Sequence, residues 1–229
     1  MIALSNSLQL ASILLQCVLV VLLVLSFARR YSILLVYSLA YLSATMMGEI
    51  ILRRDGVRSA AYRTFYWRGE VGLDLLLFLT VIILIYQALE GSAARSRAGI
   101  LLAAVVALAL LLPFVVLQSR IFSNRWFDGA SQILNFSAAL LNLCLWTALL
   151  LTKKRDPRLL GVSLGVGITV TGAAIGYGLL QLIASGHGLI NLFSPIAHVT
   201  GLVLWCRAFA PTGKVGQRTL RADVRAEMN

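Results

Sequence analysis

Apolar residues in this chain follow neither the strict alternation of a half-buried strand nor the spaced stripe of a soluble helix. They come in solid runs separated by short polar breaks. Seven such runs cover residues 8–28, 31–52, 65–89, 99–117, 129–151, 159–184 and 189–208. Each has roughly the 20 residues that an α-helix needs to cross a hydrocarbon core about 30 Å thick. The breaks are basic or rich in turn formers: Arg29-Arg30, Arg53-Arg54-Asp55-Gly56, Glu90-Gly91-Ser92, Lys153 to Arg158 and Ser185-Gly186-His187-Gly188. The pattern predicts an all-α polytopic membrane protein, with seven transmembrane helices over residues 1–211 and a basic tail over 212–229. A closed membrane barrel would need apolar–polar alternation, which is absent. The first run is read as a retained span. It is too long for a signal-peptide core, and neither a charged leader segment nor a small-x-small cleavage pattern accompanies it. Pro113 predicts a kink near the end of the fourth helix, and the tight sixth-to-seventh connection predicts antiparallel neighbours.

Composition agrees: 229 residues are 59% hydrophobic and 13% charged, with mean hydropathy +0.88. The net charge of +11 would suggest nucleic acid in a soluble protein. Here the basic residues flank apolar spans, and no nucleic-acid partner is expected; the partner read from this distribution is the lipid bilayer. With the N-terminus outside, the cytoplasmic segments carry Arg29, Arg30, Arg95, Arg97, Lys153, Lys154, Arg155, Arg158, Arg207, Lys214, Arg218, Arg221 and Arg225, thirteen in all. The opposite side carries seven: Arg53, Arg54, Arg58, Arg63, Arg68, Arg120 and Arg125. That excess predicts an outside N-terminus and a cytoplasmic C-terminus in the cell inner membrane. The tail's Lys214, Arg218, Arg221 and Arg225 suit an anchor on anionic headgroups.

Catalytic and metal chemistry finds little support. Cys17, Cys144 and Cys206 all fall inside apolar runs, and His187 and His198 are the only histidines. A catalytic zinc site needs three protein ligands and a structural one four, so no metal site and no cofactor are expected. Lys153, Lys154 and Lys214 all lie in loops or tail, which excludes a retinal Schiff base within the last span. Gly165-Val166-Gly167-Ile168 follows no strand, so it is not a nucleotide loop. Gly161, Gly165, Thr169, Gly172 and Gly176 form a small-residue stripe suited to close helix packing. No catalytic residues are assigned.

Polar residues converge instead on one half of the membrane. Ser38, Tyr41, Thr45 and Glu49 share one face of the second helix, and Trp67, Glu70 and Asp74 one face of the third, with Asp74 about two turns deep. Gln132, Asn135, Asn142 and Trp146 line the fifth helix, Tyr177 and Gln181 the outer half of the sixth. Asn191, Ser194, His198, Gly201 and Trp205 recur along the seventh. Trp67, Glu70, Asp74, Asn135, Gln181, Asn191 and His198 are therefore the candidate ligand-binding residues of an outward-facing polar cavity, suited to a small polar or cationic ligand. The competing reading pairs Glu70 and Asp74 with Arg53, Arg54, Arg63 or Arg68 as structural ion pairs, and Glu49 with Arg53. His198 is either a proton acceptor coupled to Asp74 or a core histidine bonded to a neighbouring helix.

Tyr66-Trp67-Arg68-Gly69-Glu70 through Phe78-Leu79-Thr80-Val81-Ile82 carries a resemblance, as does Asp156-Pro157-Arg158-Leu159-Leu160 followed by Gly165 to Gly172. These stretches resemble a family of uncharacterised bacterial seven-helix inner-membrane proteins. Where that family has an acid two residues after its counterpart of Gly172, this chain has Ala173-Ala174. The architecture is also similar, more loosely, to the seven-helix sensor regions that precede histidine kinases. What the resemblance implies is a seven-helix fold without an assigned activity. Three readings of function stay open: a sensor-like or ligand-binding protein that signals through a membrane or cytoplasmic partner protein, a small-solute or proton-coupled transporter, and a structural subunit of a membrane complex.

Overall fold

A computed structural model describes residues 2–26, 29–90, 95–117, 121–151, 156–182 and 187–210. These form seven α-helices and, among the described residues, no strand. The helices are α1 (Ile2–Leu25), α2 (Ser32–Asp55), α3 (Ala60–Ala88), α4 (Arg95–Val116), α5 (Asn124–Leu151), α6 (Pro157–Leu182) and α7 (His187–Phe209), with a 3₁₀ turn at Arg29–Tyr31. Six of them are long and apolar enough to cross a membrane, so the chain is a membrane-spanning helical protein. The helix outside that group is α5, which carries Arg125, Asp128, Gln132, Asn135 and Asn142 along its 28 residues.

Several helices begin earlier than the apolar runs do, because a capped polar turn precedes the hydrophobic stretch. The helix expected from residue 65 starts at Ala60, where the Oγ of extended Ser59 accepts a hydrogen bond from Tyr62 N at 3.1 Å. The one expected from 129 starts at Asn124, with Ser123 Oγ accepting from Trp126 N at 3.3 Å. Asp156 caps α6, its Oδ1 accepting from the backbone of Arg158 and Leu159 at 3.0 and 3.3 Å, and Pro157 takes the first helical position, where a missing N–H costs nothing. Hydropathy sees only the apolar part of each helix. Pro113 lies buried inside α4, three residues before its end.

Six helices close into a ring in the order α1, α2, α3, α5, α6, α7, with α7 returning to α1 and α3 touching α6 across the middle. The fourth helix lies outside this ring, against α5 and α3. One end of the bundle is gathered around Arg30. Its Nη2 donates to Glu90 Oε2 at 3.0 Å and its Nη1 lies 3.8 Å from Asp156 Oδ2. Gln87 Nε2 donates to Arg30 O at 2.6 Å, and the Tyr31 ring meets Phe209 edge-on at 5.1 Å. The start of α2, the end of α3, the start of α6 and the end of α7 therefore share one face of the bundle.

Dry packing reaches this end and runs on into the middle of the bundle through Phe78, Val81, Val166 and Val170, all 0% exposed. Leu19, Leu34, Leu84, Leu145, Val162 and Trp205 are at most 1% exposed, and each lies within six residues of a helix terminus at the Arg30 end. The tightest joint is α6 on α7. A Cβ at Gly161 would sit 3.0 Å from Ala208 Cβ, one at Gly165 would run into the Trp205 indole, one at Gly172 into Ala197 Cβ, and one at Gly176 would meet Ser194 Cβ at 3.7 Å. The α7 partners fall in number as the α6 glycines rise, so the two helices are antiparallel, although the 183–186 turn lies outside the described residues. Trp205 Nε1 donates to Val162 O at 3.0 Å across the joint. Lipid offers no hydrophobic drive for helix association, and close backbone approach supplies dispersion contacts instead. The glycine stripe is thus occupied within the protein by α7 and does not offer a partner a free docking face.

Candidate functional site

One face of α3 carries Tyr66, Glu70 and Asp74 at spacings of four. Because α3 starts at Ala60, Asp74 lies fourteen residues into it, about 21 Å along the axis at 1.5 Å per residue. It is deeper in its helix than the two turns expected from the apolar run, and about 9 Å beyond Arg68, the last arginine of α3, which is exposed.

The neighbouring α5 brings two neutral groups to this carboxylate. Ser131 Oγ donates to Asp74 Oδ2, and the Asn135 side chain is a second hydrogen-bond partner. Asn135 Nδ2 also donates to Ser131 O at 3.1 Å, which fixes its amide beside the acid. Ser131 and Asn135 are 0% and 1% exposed, so both donors are preorganised by packing. The Tyr66 hydroxyl is a hydrogen-bond partner of Glu70, and Tyr37 and Tyr41 of α2 lie within electrostatic reach of the acid pair.

Two of the arginines weighed as partners for these acids, Arg53 and Arg54, are engaged nearer to home. Arg53 Nε donates to Glu49 Oε1 at 2.7 Å, one turn away, and Arg54 Nε lies 3.6 Å from Asp55 Oδ1. The Glu49–Arg53 pair is the one the spacing suggested. No ion pair reaches Asp74 among the described residues.

Trp67 faces elsewhere. It packs with Val71 and Leu117 on Trp126, Phe127 and Ala130, part of an aromatic group in which Phe114 and Phe122 lie 5.0 and 5.2 Å from Trp126 between ring centroids. Such a cluster suits the membrane–water boundary, where flat amphipathic rings settle. It marks the end of the bundle opposite Arg30.

His198 belongs to another sector. Its ring stacks on Tyr41 at 4.7 Å and 24°, and Tyr41 Oη lies 3.1 Å from Ser12 Oγ of α1. No hydrogen bond or ion pair joins His198 to Asp74 among the described residues. Gln181 lies near the end of α6 and Asn191 near the start of α7, and their side chains fall outside the described residues. Of the seven candidates, Glu70, Asp74 and Asn135 are thus brought together, while Trp67 and His198 pack in separate clusters.

Three participants escaped the sequence pattern. Ser131 sits one turn before Asn135, on the same face, and that spacing was the available signal. Ser12 and Gln16 of α1 are 4% and 0% exposed and stand one turn apart in the apolar run. Two cavities open on the described surface. One of about 580 Å³ runs along α3 by Thr64, Phe65 and Arg68. Another of about 400 Å³ lies between α4, α5 and α6, over Leu112, Gln132 and Phe136. Neither is lined by Asp74. No three His, Cys, Asp or Glu side chains come together as a metal site among the described residues. Chemically, the Asp74 arrangement is an anion held by neutral donors, one turn from a second acid, and it can accept a proton or a small cation. No family model, curated protein or solved structure matches this chain.

Proposed function

We propose that this protein spans the cell inner membrane seven times, with its N-terminus outside and its C-terminus in the cytoplasm, and serves a sensor-like role by binding a small cationic or hydrogen-bond-rich ligand at Asp74. Occupancy would pass to a partner protein at the basic cytoplasmic end. The seventh span is α5, whose 28 residues extend about 42 Å. Its polar groups Ser131 and Asn135 turn toward α3 rather than toward lipid. Orientation rests on the excess of basic residues at the Arg30 end.

The observation that carries this reading is the Asp74 carboxylate, set inside the bundle with a hydroxyl and an amide for partners. On insertion scales an acid at mid-membrane costs about 2.5–3.5 kcal/mol, and such residues mark ligand or ion sites when they face a bundle interior. Glu70, one turn nearer the outside, lies on the entry side. The ligand contacts proposed are Glu70, Asp74 and Asn135, the three candidates that α3 and α5 bring together. The dry packing of Leu19, Leu34, Leu145 and Trp205 closes the cytoplasmic half, which favours binding from one side over a path that crosses the membrane.

The test is the melting temperature of detergent-purified protein, across pH and a panel of small cations, for wild type and for Glu70→Gln/Asp74→Asn. A ligand at a hundred times its Kd stabilises by about 2.7 kcal/mol. The expected result is a concentration-dependent rise that the double variant lacks. A wild type that no cation and no pH change stabilises, or a double variant that responds just as strongly, overturns the assignment.

A further inference from the structure

We propose that α1, α2 and α7 enclose a second polar site, formed by Gln16, Ser38 and His198 around Tyr41, that binds one or two internal water molecules. It is independent of the Asp74 reading, because its side chains come from three other helices.

Four buried polar atoms here have no hydrogen-bond partner in the protein: Gln16 Nε2 and Oε1, Ser38 Oγ and His198 Nε2. Gln16 and Ser38 are both 0% exposed, so neither reaches solvent. Their placement follows from helix register. The Ser12–Tyr41 contact at 3.1 Å fixes α1 against α2, which run in opposite directions. One turn onward from Ser12 stands Gln16, and one turn back from Tyr41 stands Ser38, so the two face the same level of the bundle. His198 stacks on Tyr41, one turn from this level on the Ser12 side. Tyr41 itself reaches Ser12, leaving the other three side chains to one another's neighbourhood without a direct bond between them.

Native proteins rarely leave such groups unpaired, and buried water typically bridges two to four of them. The chemistry fits water better than an ion. Gln16 presents one donor and one acceptor group, Ser38 can serve as either, and His198 Nε2 serves as either according to its tautomer. The three are neutral groups able to satisfy a molecule that both donates and accepts. Two of the contributors lie on α1 and α2, so at this height the joint between them is hydrated where the Ser12–Tyr41 joint is direct.

A double-mutant cycle on the full chain tests the proposal, using Gln16→Leu, Ser38→Ala and both together, with melting temperature in detergent as readout. Shared water predicts that each single change lowers the melting temperature by a few degrees. The pair should then lose clearly less than the sum, because the same bridge is broken once. If either apolar replacement raises the melting temperature, the atoms were simply unpaired and the proposal fails. Additive losses also overturn it, since they mean separate partners. Gln16→Met repeats the cycle with an unbranched side chain in case leucine does not pack. His198→Phe keeps the ring on Tyr41, removes Nε2, and should show the same non-additivity with Gln16→Met.

Discussion

Adding one methyl group to α6 should have opposite effects at two glycines four turns apart. At Gly165 a Cβ would fall 2.5 Å from Trp205 Cδ1 and 2.9 Å from Gly201 O. The second of these is α7 backbone and cannot swing aside. Trp205 is 0% exposed and its indole N–H is bonded to Val162 O, so moving the ring forfeits a buried hydrogen bond worth about 1 kcal/mol. Overpacking adds about 1–3 kcal/mol, while the helix preference for Ala over Gly returns about 0.5–1 kcal/mol. The net expectation for Gly165→Ala is a loss of about 1–3 kcal/mol, or a fall in melting temperature of about 2–12 °C at the 2–4 °C per kcal/mol of a chain this size. At Gly178 nothing lies within 4 Å of the added atom, so Gly178→Ala keeps only the helix term and should melt at or slightly above wild type. Intrinsic tryptophan fluorescence during heating of the detergent-purified protein would follow both, since Trp205 reports on the joint itself. Equal shifts for the two variants, or a Gly165→Ala protein as stable as wild type, would refute the close α6–α7 packing.

Further expectations follow from the ends of the bundle. Arg30→Gln removes contacts to Glu90 and Asp156; the Arg30 side chain is 42% exposed, so the loss should be under about 1 kcal/mol for each pair. It should be measurable at low ionic strength and vanish near 1 M salt, where the Debye length is about 3 Å. Ser59→Ala removes the cap of α3 and should cost about 1 kcal/mol, read as a lower melting temperature with the fold retained by circular dichroism. With Cys17, Cys144 and Cys206 replaced by Ala, Glu90→Cys and Arg58→Cys should react with an impermeant maleimide from opposite sides of intact membranes, Arg58→Cys from the outside. Labelling of both from one side would contradict the alternating topology.

The spans were legible because lipid imposes a simple demand: solid apolar runs of bilayer length. The starts of α3 and α5 were less so, since Ser59 and Ser123 cap polar turns that hydropathy does not register. The glycine stripe of α6 announced a close joint, but not that α7 would fill it, because small residues state a distance of approach and not an identity. Asp74 and Asn135 stood out as polar residues in apolar surroundings. Ser131 did not, because a serine in a membrane helix so often bonds its own backbone, as Ser163 does to Leu160 O at 3.0 Å. Helix periodicity placed His198 on the same stripe as Gly201 and Trp205. It could not show that the ring leans to Tyr41 while its stripe neighbours meet α6, since a face about 100° wide can touch two helices at once.

Closure of the ring by α7 also sets an order for building it. Synthesis runs from α1 toward α7, so when α6 has entered the membrane its glycine stripe still lacks the helix that covers it, as does the side of α1 whose Leu15 carbonyl meets Cys206. Arg30, made early, waits through the synthesis of four more helices for Asp156. A chain cut short before residue 187 would therefore expose a surface made for close helix contact, along with polar groups that lipid cannot satisfy. The making of α7 thus commits the earlier helices to one another, and a nascent chain is at its most adhesive just before that helix enters the membrane.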